Sequence, residues 1–402
     1  MKKEIAYFTV CNITYFPKAI VLAESLFKET GNILHIYVAD KKNELVPKLP
    51  FYEIKWVEDE NIERLMHLAF MYDVTEFSTS IKPLLTLKLL KIFKKVIYLD
   101  PDICVYSDLS ELNLLLDTYP ILLTPHYITP INDIKENYDL GLMRFGSFNL
   151  GFYAVNDSNE GIEFLNWWSE RCINLCFAES QFGLSVDQKW VSLAPCFFSG
   201  IKILFDKGYN MAFWNIHERS LSVNENEFIV NNETKLKFFH FSSFDINNPY
   251  KISKRPHKWI NDGRQDLTGI CVKYAENLKN FEYKLSKVKY SYDYMTNGTY
   301  ISPTLRRAYA AIYFELDFNH NPFDSEGILK KFIKQNYLLQ KNNEVYHTMG
   351  TSNIASHNSK FIIVNKILRL ILRIIGPNAF SNFSRLLVYL SSYRQNRSLW
   401  KF

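Results

Sequence analysis

Three features that many proteins have are missing from this chain of 402 residues. The six cysteines form no CxxC pair, which excludes the common structural zinc sites and predicts reduced, mostly buried thiols. No apolar run approaches the roughly 20 residues that a membrane-spanning helix needs. The first residues include two lysines but no apolar region long enough for a signal peptide. We therefore expect a cytoplasmic protein whose chain opens with a β-strand.

Acidic residues are also missing after Glu344, although eight lysines or arginines follow that position. The formal net charge of +5 therefore arises in the C-terminal segment, since the basic residues before it are fewer than the 42 acidic ones. Basic charge confined to one end is typical of a surface-targeting segment and not of a nucleic-acid-binding domain. We expect no nucleic-acid partner.

The basic segment contains two amphipathic stretches, at residues 361–375 and 383–393. In the first, basic side chains recur at helical spacing beside a broad isoleucine and leucine face. We expect residues 346–402 to form a tail that lies on the anionic inner face of the cell membrane as a peripheral attachment. The alternative is a helical hairpin packed on the body of the protein or on a partner in a homodimer. The basic side chains are Lys366, Arg369 and Arg373.

The rest of the chain alternates short β-prone apolar runs with amphipathic stretches, which is typical of an α/β protein. A polar, proline-containing segment at residues 246–258 ends this part, and residues 259–345 are expected to be mainly helical. Strands are expected at residues 5–10, 33–38, 51–57, 96–99, 120–123, 149–155, 201–204 and 238–241, and helices at 17–29, 61–70, 81–93 and 160–176.

Two carboxylates, Asp100 and Asp102, follow the apolar strand at residues 96–99. Alternate side chains of an extended chain point the same way, and Pro101 favours that conformation. Such a pair suits Mg²⁺ or Mn²⁺, whose remaining ligands are water and substrate phosphates. The natural substrate is then a nucleotide diphosphate. The alternative is a strand-end turn with solvated carboxylates.

Together with other motifs in a fixed order, this pair resembles the GT-A glycosyltransferases, especially family 8 and related bacterial capsule and lipopolysaccharide enzymes. The other motifs are residues 9–15, Lys82, the FNLG element at 148–151, Asp187-Gln188 and His240. The resemblance covers residues 4–258. It implies a Rossmann-like nucleotide-sugar-binding domain with a mixed sheet over residues 1–258, plus a C-terminal helical extension at 259–345.

The resemblance also implies roles for individual residues. Asp100, Asp102 and His240 would bind Mn²⁺ or Mg²⁺. The catalytic pair would be Asp187 and Gln188, beside the anomeric carbon. The donor would be contacted by Thr9, Asn12, Tyr15, Lys82, Asn149, Gly151 and, over its diphosphate, Lys254, for which Lys251 and Arg255 are alternatives.

Several of these residues have plainer interpretations. His240 lies between two phenylalanines, as a core histidine would, and Lys82 resembles a solvated helix lysine. Asp187 could cap a helix. Trp214 and His217 belong to a cluster of aromatic, amide and charged residues and are weaker candidates for an acceptor pocket; Trp214 could equally anchor a buried loop.

The sequence thus predicts a metal-dependent glycosyltransferase that moves a sugar from a UDP-, GDP- or dTDP-sugar to a surface polysaccharide or lipid-linked oligosaccharide. Likeness to family 8 implies retention of configuration, although that family's HxxGxxKPW signature has no clear copy after His240. The alternative is a non-catalytic nucleotide-sugar-binding or membrane scaffold protein. A dehalogenase-type phosphatase is disfavoured because its nucleophilic Asp usually lies on the opening strand.

Overall fold

The computed structural model describes residues 1–43, 46–132, 138–225, 227–255, 263–281, 285, 288–316, 319–339, 358–390 and 399–400. The chain divides into two compact units. The first consists of Met1–Glu63 and Val74–Ser291, and the second of Arg64–Asp73 and Tyr292–Phe402.

All strands of the described residues belong to the first unit. They are β1 (Lys3–Cys11), β2 (Leu34–Val38), β3 (Tyr52–Trp56), β4 (Phe93–Leu99), β5 (Ile103–Val105), β6 (Ile121–Pro125), β7 (Phe148–Asn156), β8 (Ile201–Ile203), β9 (Leu221–Asn224), β10 (Glu227–Val230), β11 (Thr234–Lys235) and β12 (Phe238–His240). Seven of them form one sheet in the order β3-β2-β1-β4-β7-β6-β8, in which β7 runs against the other six. This mixed sheet confirms the predicted α/β fold.

The described helices of the first unit flank this sheet, and others belong to the second unit. The helices are α1 (Phe16–Thr30), α2 (Leu65–Met71), α3 (Val74–Ser80), α4 (Lys82–Leu89), α5 (Ser110–Thr118), α6 (Asp139–Phe145), α7 (Asn159–Leu175), α8 (Gln188–Val191), α9 (Thr268–Lys279), α10 (Pro303–Ile312), α11 (Leu329–Gln335), α12 (Asn358–Ile375) and α13 (Pro377–Leu390). Of these, α2 and α10 to α13 belong to the second unit.

Strand β1 lies in the middle of the sheet and is buried on both faces. On one face, Phe8 packs edge-to-face against Tyr98, with ring centroids 5.0 Å apart. On the other, Tyr7 shares a core cluster with Leu22 and Leu26 of α1. A strand covered on both faces reads as a nearly continuous apolar run, which is why the sequence identifies β1 readily.

The reversed direction of β7 brings several chain segments to one edge of the sheet. The last residue of β6, Pro125, pairs with Phe148 at the start of β7, and Leu99 at the end of β4 pairs with Phe152. The backbone N–H of Asp100 donates to the carbonyl of Gly151 at 2.7 Å. The segments after β4 and β6 and the start of β7 therefore meet, as ligand sites of open α/β sheets require.

The first unit includes helix α9 and continues to Ser291, past residue 258, where the sequence predicts the end of the catalytic domain. Its Ile270 and Tyr274 are buried, and the Tyr274 ring stacks on Phe241 with centroids 3.8 Å apart. The apolar face of α9 is thus part of the core around β12. The division at residue 258 stays a prediction about domains, whereas the first compact unit includes α9.

The second unit has Arg306 of α10 at its centre. The buried guanidinium donates to the carbonyls of Ala69, Phe70 and Tyr72 at the C-terminal end of α2, at 2.6 to 2.9 Å. It also donates to the carbonyl of Tyr292. One side chain thereby satisfies several carbonyls that the end of a helix leaves unpaired.

The predicted tail helices are present as α12 and α13, joined at Gly376, whose φ of +81° ends α12. Large apolar side chains of α12 are exposed, including Ile363, Leu370 and Ile374, the last at 72%. Among the described residues, none of the helices is both long and apolar enough to cross a bilayer. Residues 391–393 of the second predicted stretch lie outside the described part of the chain.

Candidate active site

A cavity of about 840 Å³ opens in the first unit, at the sheet edge where β4, β6 and β7 meet. Its wall includes Asp100, Asp102 and His240, together with residues from the segment after β1 and from α3, α4 and α6. A volume of this size is in the range of sites that bind drug-sized or cofactor-sized molecules.

Asp100, Asp102 and His240 offer one ligand atom each within 4.8 Å of one another. Nε2 of His240 lies 3.0 Å from Oδ1 of Asp102 and 3.7 Å from Oδ2 of Asp100. The antiparallel pairing of β12 with β5 brings the histidine there, since His240 pairs with Ile103, next to Asp102. His240 is buried as a core histidine would be, but its ring faces two carboxylates.

This donor set fits a divalent cation such as Mn²⁺ or Mg²⁺. Two carboxylates and one imidazole are ligands that Mn²⁺ accepts, and three protein ligands leave positions for water and phosphate oxygens. Burial raises the pKa of Asp102, but the neighbouring His240 and Lys18 outweigh that effect and lower it. Asp102 is therefore ionised at neutral pH, as a metal ligand must be.

Lys82 is a buried cation between two carboxylates and not a solvated helix lysine. Its Nζ lies 3.3 Å from Asp100 and 3.2 Å from Asp187, and it donates to the carbonyl of Leu150 at 3.1 Å. The Tyr98 ring centroid is 4.4 Å away. Burial opposes the charge, yet Asp100 and Asp187 together raise the pKa of Lys82. Although Lys82 lines the cavity, its ammonium is held by the protein.

The predicted catalytic pair is split between the interior and the cavity wall. Asp187 is buried, and this burial is the main reason why its pKa is raised to about 6. The positive charge of Lys82 opposes the rise in pKa, whereas the negative charge of Asp100 adds to it. Its side chain makes no capping hydrogen bond to α8. Gln188 lines the cavity, where its Nε2 donates to the carbonyl of Phe145 at 2.9 Å. The preceding Val186 has a φ of +42°, which is rare for a β-branched residue.

Asn149 and Gly151 of β7 have different positions relative to the cavity. Asn149 lines it, with its Oδ1 accepting from the Gly151 N–H at 3.1 Å. Gly151 does not reach the cavity. A Cβ at that position would lie 2.4 Å from Cε1 of His240, so the glycine is needed for the close approach of the histidine ring. Gly151 thus has a packing role here in place of the predicted contact with the sugar.

The segment after β1 contributes Asn12 and Tyr15 to the cavity. Asn12 caps the following turn, since its Oδ1 accepts from the backbone N–H of Tyr15 at 3.1 Å. The ammonium of Lys18 lies 4.1 Å from the centroid of the Tyr15 ring. Thr9 is fully buried within β1 and does not line the cavity, which corrects the expected nucleoside contact.

The remaining candidates also differ in position. Trp214 lines the cavity, edge-to-face with His240 at 5.1 Å between centroids. His217 lies instead in a smaller depression of about 440 Å³. Lys254 is mostly exposed and pairs with Asp245 at 3.4 Å, whereas the adjacent Arg255 lines the cavity. Of the three basic residues considered for the diphosphate, Arg255 is the one at the cavity wall.

Two residues at this site, His126 and Asn210, were not predicted from the sequence. His126 lines the cavity directly after β6, and burial lowers its pKa to about 4, opposed by the carbonyl of Ser147. Its position after a predicted strand was an available signal. Asn210 is fully buried and lies 3.3 Å from Nδ1 of His240 through its Oδ1. No sequence pattern distinguishes this asparagine from others in the chain.

No protein-family profile matches the sequence. Two proteins of Bacillus subtilis strain 168, the uncharacterized proteins YfnF and YfnD, are each 25% identical to the chain over 283 residues. The match covers 68% of this chain and 91% and 88% of theirs, respectively.

Several solved structures are similar in fold. One is the galactosyltransferase LgtC in complex with donor and acceptor sugar analogues, with a TM-score of 0.40, 14% identity, and coverage of 71% of this chain and 97% of that one. Mouse xyloside xylosyltransferase 1 has a TM-score of 0.36, 15% identity and coverages of 60% and 98%. The bifunctional glycosyltransferase WbbM has a TM-score of 0.36, 13% identity and coverages of 71% and 52%. At TM-scores this low, the similarity does not define the activity of this chain.

Proposed function

We propose that the chain is a GT-A-type glycosyltransferase that depends on a divalent cation and uses a nucleotide-sugar donor. The observation that carries the proposal is the meeting of Asp100, Asp102 and His240 at the wall of a cavity large enough for such a donor. The order of motifs in the sequence supports it.

When bound, Mn²⁺ or Mg²⁺ would neutralise the diphosphate and act as a Lewis acid for the departing nucleotide. The chain's own residues do the rest. Tyr15 offers a ring for the nucleoside base, and Asn12 fixes the turn that presents it. Arg255 adds positive charge for the diphosphate, because it lines the same cavity.

Asn149 and Gln188 are the amides that we assign to the sugar. Both line the cavity, and an amide can donate to and accept from hydroxyl groups. We place the carbonyl of Gln188 near the developing positive charge at the anomeric carbon. Asp187 is buried behind the cavity wall, and we propose that it acts indirectly, by fixing the position of the Lys82 ammonium. Retention of configuration is our preferred outcome, because the motifs resemble family 8.

The acceptor that we propose is a bacterial surface glycan such as capsule or lipopolysaccharide, carried on a lipid. The exposed apolar side chains of α12 and the absence of acidic residues after Glu344 favour attachment to an anionic membrane surface. The location that we propose is therefore the inner face of the cell membrane, where lipid-linked precursors are extended. A homodimer through the same helices is the alternative arrangement.

Thermal unfolding with a panel of donors tests the proposal. UDP-, GDP- and dTDP-sugars are added with and without Mn²⁺, because a ligand of the folded state raises the melting temperature. We expect one nucleotide class to stabilise the protein only when Mn²⁺ is present. Stabilisation by none of them would contradict the proposal. Metal-dependent binding without donor hydrolysis or transfer would indicate the non-catalytic alternative.

A further inference from the structure

Asn210 contacts both the proposed metal ligand His240 and the cavity-lining Asn149. Its Nδ2 donates to Oγ1 of Thr124 at 2.9 Å and to Oδ1 of Asn149 at 3.0 Å. Its Oδ1 lies 3.3 Å from Nδ1 of His240. The residue is fully buried and has a φ of +54°, a conformation that asparagine tolerates better than most residues.

The direction of this hydrogen-bond chain follows from a backbone group whose role is fixed. The N–H of Gly151 can only donate, so the side-chain atom of Asn149 that it contacts at 3.1 Å is the oxygen. The atom of Asn210 that faces this oxygen must then be the NH₂ group. The remaining amide atom of Asn210, its oxygen, is the one that faces His240.

An oxygen opposite Nδ1 requires that Nδ1 of His240 carries a proton. In a neutral imidazole the other nitrogen, Nε2, then has a free lone pair. That nitrogen is the one that lies 3.0 Å from Asp102 and 3.7 Å from Asp100. The lone pair therefore points to the place where the two carboxylates converge.

We propose that Asn210 is a positioning residue that holds His240 in the tautomer and ring orientation needed to bind a divalent cation. Gly151 also limits the position of the ring, since a Cβ there would collide with its Cε1 and Nδ1 atoms. Partners of this kind orient metal-binding histidines and typically change metal affinity 10- to 100-fold when removed. The inference rests on the metal site of the proposed function.

The test measures Mn²⁺ affinity by electron paramagnetic resonance, in which only free hexaaqua Mn²⁺ gives the sharp signal. Asn210→Gly keeps the positive φ available and removes the amide. We expect its dissociation constant for Mn²⁺ to rise 10- to 100-fold. Asn232→Gly is the matched control, because Asn232 has a φ of +57° but is exposed and contacts Ser222 in a hairpin. We expect wild-type affinity for this control.

A double-variant cycle shows whether Asn210 acts through His240. His240→Ala should weaken Mn²⁺ binding by itself, and adding Asn210→Gly should weaken it no further. An equal loss from Asn210→Gly in both backgrounds would mean a general structural effect and would overturn the inference. So would wild-type affinity in the single Asn210→Gly variant.

Thr124→Val provides a second route if Asn210→Gly does not fold. It removes the hydroxyl that accepts from Asn210 and preserves the shape of the side chain. We expect a smaller loss, about 3- to 10-fold in Mn²⁺ affinity, because Thr124 acts on His240 only through Asn210, whereas loss of a direct partner typically costs 10- to 100-fold; no change would refute the positioning role. Wild-type protein that binds no Mn²⁺ would instead contradict the proposed function, so the two failures are distinguishable.

Discussion

Lys82 shows how a single buried charge organises the site. It lies between Asp100, a proposed metal ligand, and Asp187, which the protein interior surrounds. A buried carboxylate without a partner is costly, so the lysine is what allows Asp187 to be ionised at all. Lys82 contacts Oδ1 of Asp100, whereas His240 faces Oδ2 of the same carboxylate.

Lys82→Met should lower the free energy of unfolding by about 3–5 kcal/mol at pH 7.5, because it leaves Asp187 buried without its cation. The loss should be smaller at pH 5, since burial already raises the pKa of Asp187 to about 6 and removing Lys82 raises it further. Urea unfolding at both pH values measures this. Lys88→Met, on the same helix, is the control, and an equal loss at both positions would contradict the account.

Asp187 should also make stability depend on pH in the wild-type protein without metal. Its pKa is about 6 in the folded state against 3.8 ordinarily, so the folded chain takes up a proton first as the pH falls. Stability relative to Asp187→Asn should therefore increase by about 1 kcal/mol between pH 7 and pH 5. Urea unfolding of both proteins across this interval checks the sign. If the difference in stability stays constant or decreases as the pH falls, the pKa of the Asp187 carboxyl is not raised in the folded state.

Among the elements, the pairing of β5 with β12 brings the proposed metal ligands together. It joins residues 103–105 to residues 238–240, which are far apart in the chain. The hydrophobic pattern predicted strands at residues 96–99 and 238–241, with Asp100 and Asp102 after the first of them, but it did not predict β5. The pairing of β5 with β12 could not be predicted, because it depends on packing between segments that are far apart in the chain.

Other misses have equally local causes. Thr9 lies within a strand whose alternate side chains face opposite ways, so its direction depends on register, which a motif does not reveal. Lys254 and Arg255 are adjacent in a loop, and only the loop conformation decides which one reaches the cavity. The role of Asn210 could not be predicted, because it depends on contacts with buried residues that are distant in the chain. Sequence therefore predicted the fold class better than the individual contacts.

Arg306 gives the second unit a test at the level of its helices. Arg306→Met would remove the guanidinium that donates to the carbonyls at the end of α2 and to the carboxylate of Asp293. We expect a loss of about 3–5 kcal/mol in the unfolding of this unit. Arg306→Lys should recover only part, because an ammonium lacks the five fixed donors of a guanidinium.

Limited proteolysis followed by mass spectrometry locates the effect of these variants. Cleavage should increase within Arg64–Asp73 and after Tyr292, which form the second unit. Lys331→Met, at an exposed position on α11 of the same unit, serves as the control. Unchanged cleavage in Arg306→Met would show that the guanidinium does not hold α2.

At the scale of the whole molecule, the charge distribution separates a slightly acidic body from a basic tail. The exposed apolar side chains on α12 need either a lipid surface or another protein surface to cover them. The basic residues favour the lipid, because each one near an anionic surface contributes about 1 kcal/mol.

Vesicle sedimentation tests the tail in the full-length chain. Replacing Lys366, Arg369 and Arg373 with glutamine should reduce binding to phosphatidylserine vesicles at least tenfold, since several kcal/mol of attraction are lost. A chain that ends at residue 355 should not bind at all, while its donor hydrolysis remains. Neutral phosphatidylcholine vesicles provide the control. Undiminished binding by both variants would favour helix packing against protein.

Donor turnover under controlled metal conditions tests directly whether the enzyme depends on a divalent cation. Wild-type protein, Asp100→Asn and Asp102→Asn are assayed for hydrolysis and transfer of the stabilising nucleotide sugar, with a chelator and then with excess Mn²⁺. The account predicts that Mn²⁺ raises wild-type turnover about a hundredfold or more and that both variants lose this gain, because a bound cation supplies several kcal/mol of charge stabilisation. Full turnover in the presence of chelator, or in both asparagine variants, would contradict it.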